Sequence, residues 1–261
     1  MAAPKEKSKV ITAIVLDFET GCGECQESGA TQLSAHAVRL DTFEVTGTFN
    51  EYIAPYNKVD LSKPKKKVLR SKYETENTER MMYDEKKMLK YTGITMAMLE
   101  SKGLELGVLC DKFLDFIEDN TFDVSRNCKP IIVGQNILFD LGFLTQIMLF
   151  TGRWKRFIKL VRGEEDFWGN FQPYYVDTIL LSQLALSHKK TQNSWSLSFL
   201  AEALGIELVD AHDADADVVA TEEVLKVITK RMRNGSNEDD ESQDDGMVET
   251  KKERFREHFK I

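Results

Sequence analysis

No apolar run in this chain of 261 residues approaches the length that crosses a bilayer. The opening residues, MAAPKEKSKV, have no apolar core. That argues against a secretory signal, and the cytoplasm is the expected location. No internal repeat is present, which removes solenoids and propellers. Cysteine is scarce. Cys22 and Cys25 form a C-x-x-C, while Cys110 and Cys128 stand alone. A zinc ribbon needs a second pair, or histidines at ligand spacing, and neither is there. No thioredoxin-like context follows the pair either, so reduced thiols are expected. One stretch lacks positive charge altogether: residues 234–250 hold seven acids and no Lys or Arg. Much of the net charge of −8 is therefore local, and the remaining chain is nearly balanced. An acidic total of this kind does not exclude phosphate binding, because patches matter more than sums.

What is present is a spaced set of acids. The run VITAIVLDFET is almost continuously apolar from Val10 to Leu16 and partly β-branched, so it reads as a buried central strand over residues 11–17. Residues two apart on a strand share a face, which sends Asp17 and Glu19 the same way and Phe18 the other. Alone, this is equally a strand running out into a solvated loop. The segment KPIIVGQNILFDLGFLTQIMLFTG reads as a strand over 130–133, a turn at Gly134 and a helix over 137–150. Asn136 and Asp140 are four apart and share a helical face if the helix starts early enough. They also suit an N-cap and a first-turn acid. The third stretch, HDADADVVATEEVLKVITKRM, opens an amphipathic helix over about 215–232, with Asp213 as N-cap, Asp217 a turn later and His212 in the preceding loop. Taken singly, His212 and Asp217 are ordinary for a loop and a helix start. Taken together, the four carboxylates offer the dense hard-oxygen ligation that divalent ions need, and the histidine offers a base.

In order and spacing these stretches resemble the DEDDh family of 3′–5′ exonucleases, which includes proofreading epsilon-type polymerase subunits. Asp17 and Glu19 match its Asp-x-Glu, Asn136, Phe139 and Asp140 match its second motif, and His212, Ala214 and Asp217 match its His-x-Ala-x-x-Asp. Flanking segments agree: YTGITMAMLE, LSFLAEALGIE, and VDTILLSQLA, which resembles the family's Asp-Thr strand. The resemblance runs from about residue 11 to 231. It implies an α/β, ribonuclease H-like fold, with a mixed β-sheet flanked by helices. It also implies two Mg2+ or Mn2+ ions held by Asp17, Glu19, Asp140 and Asp217, with His212 as general base, and it sets Phe18, Thr20, Asn136 and Phe139 against the substrate. The implied reaction is phosphodiester hydrolysis at the 3′ end of DNA, with release of nucleoside monophosphates, proofreading being one use. The same set serves RNA, and a non-catalytic polymerase accessory module is a more distant alternative. One departure is Gln135, where many members carry histidine.

Elsewhere, strands are expected over 32–40 and 45–53, forming an antiparallel meander with the first. A helix is expected over 108–118, a strand over 174–177 and a helix near 198–204. The run KPKKKVLRSK, residues 63–72, is basic. Its Lys65, Lys66 and Lys67 are candidates for substrate phosphates, against a solvated loop. The expected organisation is an exonuclease domain over 9–233, an acidic linker over 234–250 and a basic-aromatic tail over 251–261. That tail, KKERFREHFKI, carries Phe255 and Phe259 four apart. It suits docking to a replication partner, or folding back onto its own domain. Expected partners are single-stranded DNA or 3′ ends, and no membrane.

Overall fold

A computed structural model describes residues 11–61, 79–122, 128–187, 194–206 and 214–234. The lysine run, His212, Asp213, the acidic linker from residue 235 and the C-terminal tail lie outside the described residues. Seven strands and eight helices are described. They run β1 (Thr12–Thr20), β2 (Ala30–Arg39), β3 (Val45–Tyr52), α1 (Glu85–Tyr91), α2 (Met96–Lys102), α3 (Leu106–Asp119), β4 (Ile131–Gly134), α4 (Ile137–Phe150), α5 (Trp154–Leu160), β5 (Gly163–Glu165), β6 (Phe171–Pro173), β7 (Tyr175–Asp177), α6 (Thr178–Leu186), α7 (Leu197–Leu204) and α8 (Ala214–Asn234).

The main sheet has the order β3-β2-β1-β4-β7. β1, β2 and β3 form the expected antiparallel meander, and β4 and β7 run parallel to β1. β1 is central because its apolar residues alternate between two hydrophobic layers. Ile14, Leu16 and Phe18 join Phe113, Phe143 and Ile147 on the side of α3 and α4. Ala13 and Val15 join Val133, Val218 and Leu225 under α8. β2 alternates in the same way, with Leu33, Ala35 and Ala37 in the first layer. A third cluster, with Leu186, Leu200, Val224 and Ile228, ties α6 and α7 to α8. Among the described residues, no helix is long and apolar enough to cross a membrane.

Several sequence expectations need correcting. β1 continues three residues past Asp17, to Thr20, because β2 pairs with it along its whole length. The VDTILLSQLA segment is a strand only through Asp177. The Asp177 side chain then accepts a hydrogen bond from the Ile179 N–H and starts α6, so Thr178 to Leu186 are helical. α1, α2, α5 and the β5–β6 hairpin were not foreseen. α1 and α2, seven residues each, are capped by Asp84 and Thr95, each of which accepts from a backbone N–H in the first turn. α7 ends where expected, at Gly205, whose φ of 73° suits glycine.

Candidate active site

The pleat of β1 sends Asp17 and Glu19 toward α8, while Phe18 turns the other way and packs on Phe143 with ring centroids 6.3 Å apart. The first turn of α8 supplies Asp217 from above. One carboxylate oxygen each from Asp17, Glu19 and Asp217 lie within 4.8 Å of one another. Three of the four expected ligands thus converge at one sheet end.

Asp140 arrives from the opposite layer. It sits in the first turn of α4, is 3 % exposed, and its Oδ1 accepts a hydrogen bond from the Phe18 N–H at 2.9 Å. One oxygen is therefore committed to the backbone between Asp17 and Glu19. Burial, and then the charge of Asp17, push the Asp140 carboxyl well above the usual carboxylate range. Burial, and then Asp217, push Asp17 up to about 7. Like charges gathered out of water disfavour ionisation. A hard divalent cation reverses that penalty, and an all-oxygen donor set suits Mg2+ or Mn2+. The residues present therefore fit such an ion.

Asn136 does not share a helical face with Asp140. It precedes α4 in the left-handed region, at φ 56° and ψ 40°, makes no side-chain cap and is exposed. Asparagine tolerates this conformation better than most residues. Its N–H donates to Asp177 Oδ1 at 3.1 Å, so the acid that caps α6 also fixes the turn into α4. Gln135 stitches the same corner, donating to the Trp195 carbonyl at 2.7 Å and accepting from the Thr178 hydroxyl. Beside the acids, Leu138 and Phe139 are exposed, and Phe139 leans on Phe143 at 5.1 Å. The hydroxyl of Thr20 donates to the Cys22 carbonyl at 3.3 Å. Leu138 opens a groove of about 710 Å³ that runs along α4 past Leu141, Gly142 and Thr145, between Cys25 and the β5–β6 hairpin. Hydrophobic periodicity could not show this groove, because it depends on how α4 and the hairpin pack.

Residues 21–29, which follow the acidic strand end, are tied down. The Gly29 N–H donates to Met82 O, and the Met82 N–H donates to Glu27 O. A β-carbon on Gly29 would lie 2.1 Å from the Tyr83 hydroxyl oxygen, so only glycine fits there. That oxygen accepts from the Tyr56 N–H at 3.2 Å. The Tyr56 hydroxyl accepts from the Ala30 N–H at 2.8 Å and donates to Gln146 Oε1 at 2.7 Å, and the Gln146 amide donates to Cys25 O. The loop is thereby joined to α4. Cys22 and Cys25 are free thiols, and among the described residues the acidic trio is the one group of metal-ligating side chains that converges.

No family model matches this chain, and neither does any curated protein sequence. Solved structures do. Escherichia coli exonuclease I in complex with a dT13 oligonucleotide aligns with a TM-score of 0.57 at 20 % identity, over 86 % of this chain and 42 % of that one. Its complex with a dA16 oligonucleotide gives the same values. Its zinc-bound complex with single-stranded DNA gives a TM-score of 0.56 at 20 % identity over the same shares of both chains. The chain thus spans less than half the length of that protein. The likeness establishes the fold, which is the ribonuclease H-like α/β arrangement of a mixed five-stranded sheet flanked by helices.

Proposed function

We propose that the protein is a divalent-metal-dependent 3′–5′ exonuclease that acts on single-stranded or frayed DNA ends and releases nucleoside monophosphates. The observation that carries this reading is the meeting of Asp17, Glu19 and Asp217, with Asp140 buried beside them. The fold shared with an exonuclease solved on oligonucleotides supports it. In this reading Asp17, Glu19, Asp140 and Asp217 hold two Mg2+ or Mn2+ ions, which when bound supply the Lewis acidity for an in-line displacement at phosphorus. His212 takes the proton from the attacking water. Phe139 and Leu138 form an apolar lip against which the terminal base rests, and the Phe18 N–H keeps Asp140 aimed. Lys65, Lys66 and Lys67 contact phosphates upstream of the cut.

The test is incubation of the purified protein with 5′-labelled single-stranded DNA and RNA, each with Mg2+, with Mn2+ or with chelator. A ladder shortening from the 3′ end of DNA, abolished by chelator, is the expected result. Equal or faster shortening of RNA would move the substrate to RNA, and an unchanged label in every lane would end the nuclease reading. A preference for mismatched primer ends would mark proofreading.

A further inference from the structure

A second polar group lies under α8, next to the acidic trio, and metal ligation does not use it. The face of β2 that meets α8 should be apolar, since Val38 on it is buried there. It instead presents Ser34 and His36, which stand beside Asp17 and Val15 in the register of the neighbouring strand. Both are buried. The Ser34 hydroxyl donates to Asp215 Oδ1 at 2.9 Å. The imidazole of His36 sets Nδ1 2.9 Å from Glu222 Oε2 and Nε2 3.6 Å from Asp215 Oδ1. His36 and Glu222 both keep only 8 % of their side-chain surface exposed.

Asp215 and Glu222 are seven residues apart on α8, two turns along one helix face. Two neighbouring residues of β2 therefore hold the helix at two levels, Ser34 at Asp215 and His36 at Glu222, each across 2.9 Å, and Asp217 lies between those levels. Apolar side chains in these positions would pack α8 at lower cost, because buried ionisable groups are expensive even when paired. They would also leave the helix freer to rotate or slide, since dispersion contacts are not directional. Hydrogen bonds at two levels fix rotation and register together.

We infer that Ser34, His36, Asp215 and Glu222 are positioning residues that hold α8 in the rotation at which Asp217 completes the cation site with Asp17 and Glu19. They touch neither the ion nor the substrate. The inference rests on the reading of the acidic trio as a divalent-cation site, and it does not depend on which nucleic acid is cut.

The experiment measures Mn2+ affinity by calorimetry on the full chain, with thermal unfolding of the metal-free protein alongside. Ser34→Ala and Glu222→Ala should each weaken Mn2+ binding about 10–100-fold, the range typical of groups that orient metal ligands. Glu222→Gln keeps an oxygen acceptor for Nδ1 and should bind Mn2+ within a few-fold of the parent. Ile228→Val, on the same helix but in the cluster with α6 and α7, should unfold earlier with unchanged Mn2+ affinity. Should Ile228→Val lose affinity in step with its stability, the four residues are merely structural and the inference fails. Parent-like affinity in both alanine variants overturns it as well. A parent that binds Mn2+ but leaves DNA and RNA intact removes the nuclease reading, while the variants still decide the positioning role. A parent that binds no Mn2+ ends both.

Discussion

The two faces of β1 differ in what they do with the same strand. Toward α3 and α4, Ile14, Leu16 and Phe18 are buried and sit in the largest core cluster. Toward α8, Ala13 and Val15 are buried, but the next two positions are Asp17 and Glu19. One face is apolar from Ile14 to Phe18, and the other turns acidic at Asp17. Stability and the proposed chemistry therefore lie on opposite sides of one strand, and substitutions should strike one without the other.

The strongest break in that comparison is the loss of an acid. Asp17→Ala or Asp140→Ala should abolish metal-dependent hydrolysis and leave the far-ultraviolet circular dichroism unchanged. Metal-dependent activity surviving in either pure variant would remove that residue from the site. His212→Ala comes next, with a rate lower by about 10²–10⁴-fold at neutral pH and an acid limb missing from the pH–rate profile. A rate within a few-fold of the parent would show that another group takes the proton.

The opposite face is tested by Phe143→Ala. Phe143 is fully buried against Phe18 and Phe139, so denaturant unfolding should show a loss of about 3–5 kcal/mol. Mn2+ affinity should change far less. An equal fall in both would mean that the two faces are not separable.

The acidic face should also betray itself through pH. The Asp17 carboxyl rises from an ordinary 3.8 to about 7 in the folded, metal-free protein. Between those values the folded state binds the extra proton, so the contribution of Asp17 to stability is lost as pH rises through that window. Asp17→Asn should unfold at a higher temperature than the parent, by a margin that widens from about pH 4 to about pH 7. Parallel curves would show that Asp17 ionises normally. The smallest effect is expected from neutralising Lys65, Lys66 and Lys67 together. The slope of log affinity against log salt should flatten by about 2 on a single strand, with the rate at saturating substrate nearly unchanged. An unaltered slope would return the run to a solvated loop.

Long elements were legible in the sequence, and short ones were not. α4 has the predicted bounds, residues 137–150, because its fourteen mostly apolar residues are too many for a strand and lie between the turn at Gly134 and Thr151-Gly152. α1 and α2, at seven residues each, are too short to stand without tertiary support, and no sequence expectation marked them as helices. In TILLSQLAL a run of leucines suits strand or helix alike, and the Asp177 cap decides for helix. At the site, strand parity alone gave the shared direction of Asp17 and Glu19. The bond from the Phe18 N–H to Asp140 spans 122 residues, and no local pattern encodes it. The left-handed turn at Asn136 and the grip of His36 on α8 likewise arise only once the layers stack.

The paired tyrosines give the loop after Glu19 a particular kind of anchorage. The amide protons of Ala30 and Tyr56 end on phenolic oxygens, and the Gln146 amide reaches from α4 to the Cys25 carbonyl. These bonds share partners with one another, so residues 21–29 are braced against α4 as one piece rather than residue by residue. Gly29 leaves the room that the Tyr83 hydroxyl occupies. The part of the groove wall that Cys25 forms is therefore anchored through the same tyrosine and glutamine that hold the start of β2.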